Sequence, residues 1–280
     1  MTEPVLQLRD AALAHGTRRL WTGLSLDVQP GELLAVLGAN GSGKTSLLRA
    51  ILGLLPLTGG TVTVGGQPAT QARRRIGYVR QQHRIDPFTP LRAKDVVRQG
   101  LDGHRWGFGR PRRVDWARVG ETLTAVDAAA LADMPIGTLS GGEQQRVRIA
   151  QALVGDPLLL LCDEPLLSLD LGSQATISAL VDRQRHERGT AVVFVTHEIN
   201  PVLPYVDRVL YLAGGRCLVG TVDEVFTSTT LGALYASPVE VIRRDGHILV
   251  AGLPPTYHDE HDEHHADVGH RTAVERADAR

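Results

Sequence analysis

The sequence predicts an α/β fold with a mixed, largely parallel sheet, and three stretches carry that prediction. Leu33-Leu34-Ala35-Val36-Leu37 is continuously apolar, as a central strand covered on both faces must be, and it runs into a glycine-rich loop followed by a helical pattern. Residues 158–162 and Ala191–Val195 repeat the apolar run with a helical pattern over residues 174–187 between them. That βαβ order implies parallel strands joined by right-handed crossovers. Val5-Leu6-Gln7-Leu8 and Leu24-Ser25-Leu26-Asp27-Val28 instead alternate, which marks half-buried strands of an antiparallel β subdomain.

The remaining elements follow in order. Pro30-Gly31 is a turn, and residues 46–52 form a helix that stops at Gly53. Thr58-Gly59-Gly60 turns into a short strand over residues 61–64, and a second lies over 76–79. Residues from about 84 to 155 read as a helical insertion, with helical patterns over 93–99 and 117–132. The glycine- and arginine-rich loop that joins those two patterns, residues 104–113, is either a solvated basic loop or a contact for a membrane protein or anionic lipid. Val239-Glu240-Val241-Ile242-Arg243 and His247-Ile248-Leu249-Val250 flank Asp245-Gly246, a hairpin signal. After Pro254-Pro255 periodicity is lost. The organisation expected is therefore a main domain over 1–235, a β-hairpin extension over 236–253 and a disordered tail over 254–280.

Composition narrows the function. The 280 residues carry a formal net charge of −1, which argues against a general nucleic-acid binder. Of 30 basic residues only Lys44 and Lys94 are lysines, so Lys44 stands out where arginine is the default cation. Cys162 and Cys217 have no metal-type spacing and read as buried, reduced thiols. The longest apolar runs are strand-length, so any membrane role must come through a partner.

Four groups of residues carry chemistry. Gly38-Ala39-Asn40-Gly41-Ser42-Gly43-Lys44-Thr45 sits between a buried strand and a helix, the context a phosphate loop requires. Its N–H groups would face β- and γ-phosphates, Lys44 would bridge them, the Thr45 hydroxyl would ligate Mg²⁺, and Ser46 would join the nucleotide contacts. The core expected is therefore that of a P-loop NTPase. The strand over 158–162 ends in Asp163, placed to hold Mg²⁺, and Glu164, placed to act as general base. His197 ends another apolar strand and, in a parallel sheet, emerges on the same edge as Asp163. Gln81 at the entry to the insertion is either a polar exit residue or a contact to Mg²⁺ or water that reports the γ-phosphate. Leu139-Ser140-Gly141-Gly142-Glu143 opens a helix and makes a second anion-facing surface.

Taken in order, residues 38–45, Gln81, Leu139-Ser140-Gly141-Gly142-Glu143, Asp163-Glu164, Ser168-Leu169-Asp170 and His197 form a signature. Over about residues 4–225 the chain resembles the ATPase subunit of ATP-binding cassette (ABC) transporters. The resemblance implies ATP and Mg²⁺ as ligands and a head-to-tail homodimer. Ser140, Gly141 and Gly142 of one copy would face the γ-phosphate at Lys44 of the other, with Asp170 near the opposite phosphate loop. It also implies an integral-membrane permease, a solute-binding protein, and a place on the cytoplasmic face of the cell membrane. Two positions depart from the pattern: His15 stands where the family has an aromatic residue stacked on adenine, and Arg80 where it commonly has proline.

Asp95-Val96-Val97, and Leu234-Tyr235 through Pro238-Val239-Glu240-Val241, look like the branch that serves manganese, zinc or iron-chelate import. The tail places His258, His261, His264, His265 and His270 among acidic residues, which suits either weak binding of Zn²⁺-like ions or simple solvation. The reading is a metal importer's ATPase. An importer for another small solute, or a non-transport cassette ATPase, stays open at this point.

Overall fold

The computed structural model describes residues 3–81, 86, 88–102 and 113–252. Strands β1 (Leu6–His15) and β2 (Arg18–Val28) form one long hairpin, and β3 (Leu33–Gly38) leads through the glycine-rich loop to helix α1 (Lys44–Ile51). Next come β4 (Gly59–Val64), β5 (Gln67–Pro68), α2 (Ala69–Ala72) and β6 (Ile76–Val79). The helical layer follows with α3 (Ala93–Asp102), α4 (Arg113–Ala125) and α5 (Gly141–Leu153). Then β7 (Leu159–Asp163), α6 (Leu171–Arg188), β8 (Ala191–Val195), β9 (Arg208–Ala213) and β10 (Arg216–Gly220) complete the main sheet. Short helices α7 (Val222–Val225) and α8 (Ser228–Tyr235) lead to a hairpin of β11 (Val239–Arg244) and β12 (His247–Gly252).

The main sheet runs β10-β9-β3-β8-β7-β6, with β3 and β6 to β9 parallel and β10 antiparallel at one edge. A four-stranded antiparallel sheet, β2-β1-β4-β5, lies apart from it. The continuous apolar runs are explained by two cores. Leu33, Ala35 and Leu37 point into the core shared with the helical layer, while Leu34 and Val36 point into the core beneath the antiparallel sheet. Leu160, Val192 and Phe194 repeat the first choice; Leu159, Leu161, Val193 and Val195 repeat the second. A strand whose successive side chains face opposite ways must be apolar throughout when both faces are covered.

Three expectations need correction at their edges. The β1–β2 hairpin is twice as long as the alternating segments suggest, because Asp10 takes a φ of 45° and the register slips between Leu8 and Ala11. Such a bulge erases the period-two signal on its far side. The helix predicted to reach residue 132 ends at Ala125, where Asp127 adopts a φ of 55° and its N–H bonds back to Thr124 O at 3.0 Å. Leu158 precedes β7 rather than joining it and is exposed. Cys162 is buried as expected, but Cys217 is only half-buried; both are free thiols. Most of the basic loop over 104–113 and the histidine-rich tail lie outside the described residues. Among those described, no helix is long and apolar enough to cross a membrane.

Candidate active site

Because β3, β7 and β8 are adjacent and parallel, their carboxyl ends bring the loop over residues 38–45, the pair Asp163-Glu164 and His197 to one edge of the sheet. Gly38 has a φ of 142°, and a Cβ there would lie 2.1 Å from Leu212 O. Only glycine fits that position. Lys44 is 6% exposed, and its ammonium donates to Gly38 O at 2.6 Å and Ala39 O at 3.2 Å, two carbonyls of its own loop. Burial lowers its pKa, and the nearby carboxylates of Glu164 and Asp163 oppose that shift.

Two clefts meet at Thr45. One, of about 360 Å³, is lined by His15, Arg18, Ser46, Lys44, Thr45 and Glu164 among others. The other, of about 540 Å³, contains Thr45, Tyr78, Gln81 and Asp163, with Val96, Gln99 and Arg148 from the helical layer. Asp163 is buried; its Oδ2 accepts from the Tyr78 hydroxyl at 3.2 Å, while Oδ1 is buried without a hydrogen-bond partner. Desolvation pushes its pKa up, only partly countered by the Tyr78 bond. A buried carboxylate oxygen and a threonine hydroxyl beside a phosphate loop are hard oxygen donors, a fitting set for Mg²⁺.

Glu164 follows at a φ of 49°, held by its N–H to Val195 O at 3.0 Å. Its carboxylate accepts from Gln81 Nε2 at 2.8 Å through one oxygen and pairs with His197 Nε2 through the other. Gln81, Glu164 and His197, spread across 116 positions of the chain, therefore make one connected group. Two residues here escaped the sequence reading. Tyr78 bonds Asp163, and its only signal was a polar tip within a strand that pairs with β7. Arg18 is the cross-strand partner of His15 and donates to Gly41 O at 3.2 Å; the tight turn His15-Gly16-Thr17-Arg18 was its signal.

Ser140, Gly141 and Gly142 line neither cleft. Ser140 is the exposed N-cap of α5 in a closed capping box: its hydroxyl donates to Glu143 Oε2 at 2.7 Å, its N–H donates to the same oxygen at 2.8 Å, and Glu143 N donates back to Ser140 Oγ at 3.4 Å. Asp170 caps α6 by accepting from Ser173 N at 2.9 Å and Ser173 Oγ at 2.7 Å. A Cβ on Gly142 would meet that same Ser173 hydroxyl at 2.9 Å, so the starts of α5 and α6 adjoin.

Residues 21–167 match the family model described as ABC transporter. The zinc transport system ATP-binding protein TroB of Treponema pallidum (strain Nichols) is 35% identical over 238 residues, covering 85% of this chain and 89% of that one. The manganese transport system ATP-binding protein MntB of Halalkalibacterium halodurans is 32% identical over 250 residues, covering 89% and 99%. Among solved structures, a chain assigned to the metal-chelate type of ABC transporter, in an inward-facing conformation, superposes with a TM-score of 0.76 at 27% identity, covering 91% of this chain and 99% of that one. With the phosphate loop, the Glu164 group and the capped α5 all in place on this fold, the chain belongs to the ABC transporter family, as an ATP-hydrolysing subunit.

Proposed function

We propose that this ATPase energises import of a divalent metal ion, zinc or manganese, or of a metal chelate, through a membrane permease. The observation that carries the hydrolytic half is the Gln81–Glu164–His197 group at the mouth of the Lys44 cleft. The metal half is supported by the similarity to TroB and MntB, which serve zinc and manganese systems, and by the structural likeness to a metal-chelate type.

ATP enters the cleft with its base towards His15 and its phosphates along the N–H groups of residues 38–45. Lys44 turns its ammonium from its own carbonyls to the β- and γ-phosphates, exchanging neutral acceptors for charged ones. Thr45, Asp163 and Gln81 would hold Mg²⁺, which supplies charge neutralisation on the phosphate oxygens when bound. Glu164 takes a proton from the attacking water, and His197 orients Glu164 and contacts the γ-phosphate. Ser140, Gly141 and Gly142 complete the site in a second copy: none of them lines the cleft of its own chain, and the α5 N-terminus is exposed. Asp170, beside them, then faces the partner's phosphate loop. ATP joins two chains, and hydrolysis lets them part. The 540 Å³ cleft, where Gln81 meets the helical layer, carries Arg49, Arg80 and Arg148 and suits an acidic segment of the permease. A solute-binding protein delivers the cargo on the other side, which puts this chain on the cytoplasmic face of the membrane.

Glu164→Gln tests the assignment. It should keep the Gln81 contact and ATP binding but lower steady-state turnover at least about 100-fold, the usual worth of a general base. Equal turnover in the two chains removes Glu164 from the role. Uptake of each ion and of metal chelates in cells lacking the chain tests the cargo; unchanged uptake of zinc, manganese and metal chelates alike overturns it.

A further inference from the structure

The hairpin of β11 and β12 lies beyond the residues that the family model matches, yet it reaches the catalytic edge. Its turn is Asp245-Gly246, with φ values of 49° and 75°, the left-handed pair of a two-residue hairpin loop. Arg244 and His247 close that loop, so the next pair, Arg243 and Ile248, is a non-hydrogen-bonded pair of the antiparallel ladder. The N–H and C=O of Ile248 therefore point outward from the edge strand. Both are taken up by one side chain. Asn200 Nδ2 donates to Ile248 O at 3.0 Å, and Ile248 N donates to Asn200 Oδ1 at 2.8 Å. The carboxamide pairs as a neighbouring strand's peptide group would, and Ile248 itself is buried in the core of the helical side.

Asn200 stands three residues after His197, in a stretch with no regular structure. At the near end that stretch is held by Thr196, whose N–H donates to Val36 O at 3.1 Å and whose hydroxyl donates to Glu198 O at 2.8 Å. At the far end the stretch is held by the Asn200–Ile248 clamp, beside Ile199 and Val202, which are buried in the core. The hairpin is in turn fixed from behind by Val241 N donating to Ser228 Oγ at 3.0 Å and by Arg243 reaching Asp223 and the carbonyl of Phe226.

We propose that Asn200 is a positioning residue for hydrolysis: by clamping the C-terminal hairpin it sets where His197 stands against Glu164. The hairpin thereby becomes part of the hydrolytic apparatus. The proposal rests on the reading of His197 as a participant in turnover, and the test separates the two. In the full-length chain, Asn200→Ala should lower kcat for ATP about tenfold, as small misplacements of catalytic groups do, and leave KM within about twofold. Asn200→Asp keeps the acceptor for Ile248 N–H but turns a carboxylate oxygen towards Ile248 O, where the amide donated. It should lower kcat with KM likewise unchanged, and it serves equally if the alanine chain does not fold. In a His197→Ala chain, assayed by single turnover of labelled ATP, either change should add less than about twofold, because two residues acting through one group are not additive. The same fold-loss in both backgrounds, or a rise in KM at unchanged kcat, overturns the clamp. Wild-type turnover by His197→Ala alone overturns the underlying reading of His197 instead.

Discussion

The proposed function gives the chain two surfaces that meet phosphate, and they are finished to different degrees. The loop over residues 38–45 is complete within one copy: Lys44 is buried, its ammonium is already engaged with Gly38 and Ala39 carbonyls, and Asp163 and Glu164 stand beside it. The start of α5 is an exposed helix N-terminus whose cap is satisfied by its own Glu143 and which lines no part of that cleft. Under the proposed function the first is a site and the second is half of one, completed by another copy.

Replacing Lys44 and Ser140 breaks the comparison most sharply. Lys44→Ala should abolish both ATP binding and hydrolysis, with turnover down at least about 100-fold, since a preorganised charge on the phosphates is lost. Ser140→Arg should bring turnover down as far while leaving ATP binding by the isolated monomer within about threefold. Loss of monomer binding in Ser140→Arg, measured with a fluorescent ATP analogue, sinks the assignment of Ser140 to the partner's nucleotide.

The glycines come next. Gly38→Ala places a Cβ 2.1 Å from Leu212 O at a φ of 142°, against backbone that cannot turn away. It should cost about 2–5 kcal/mol of stability, seen as a lowered urea midpoint. Gly142→Ala meets only the Ser173 side chain, its hydroxyl at 2.9 Å and its Cβ at 3.3 Å, and the hydroxyl can rotate. Its stability should stay within about 1 kcal/mol, while turnover falls because the methyl group pushes the Ser173 hydroxyl off Asp170, which the proposed function sets beside the partner's phosphate loop. A Gly142→Ala chain with full activity would mean that the Ser173–Asp170 pair takes no part in turnover.

The same contrast marks what was legible in the sequence. Residues 38–45, Asp163-Glu164 and His197 are readable because each follows an apolar strand, and parallel strands bring their ends together. The Ser140-Gly141-Gly142 segment is readable as a motif, but its address is not, since nothing local says which phosphate it would meet. Tyr78 was missed because its bond to Asp163 spans 85 positions, and Asn200 because its clamp on Ile248 spans 48. Local patterns reveal strand ends and helix caps. They are blind to a side chain that serves a distant backbone. The bulge at Asp10 hid half of a hairpin for a related reason: one residue out of phase ends a period-two signal even where the ladder goes on.

The smallest expected effect concerns the cap itself. The Ser140 hydroxyl and N–H hold the Glu143 carboxyl below the usual carboxylate range. A carboxylate whose folded pKa is depressed adds stability that is present above its unfolded pKa and is lost as pH falls through the folded value. Glu143 is only partly buried, so screening keeps the contribution small. Glu143→Ala should therefore cost about 0.5–1 kcal/mol at neutral pH. That corresponds to a drop of about 2 °C in melting temperature. The gap between the two chains should close as the pH is taken below the ordinary glutamate range. Turnover should change by less than about threefold, because the N–H groups of Gly141 and Gly142 remain at the helix start. A loss as large as that of Ser140→Arg would instead make Glu143 part of the composite site, and α5 would then meet the partner's nucleotide through its carboxylate-bound cap rather than through bare backbone.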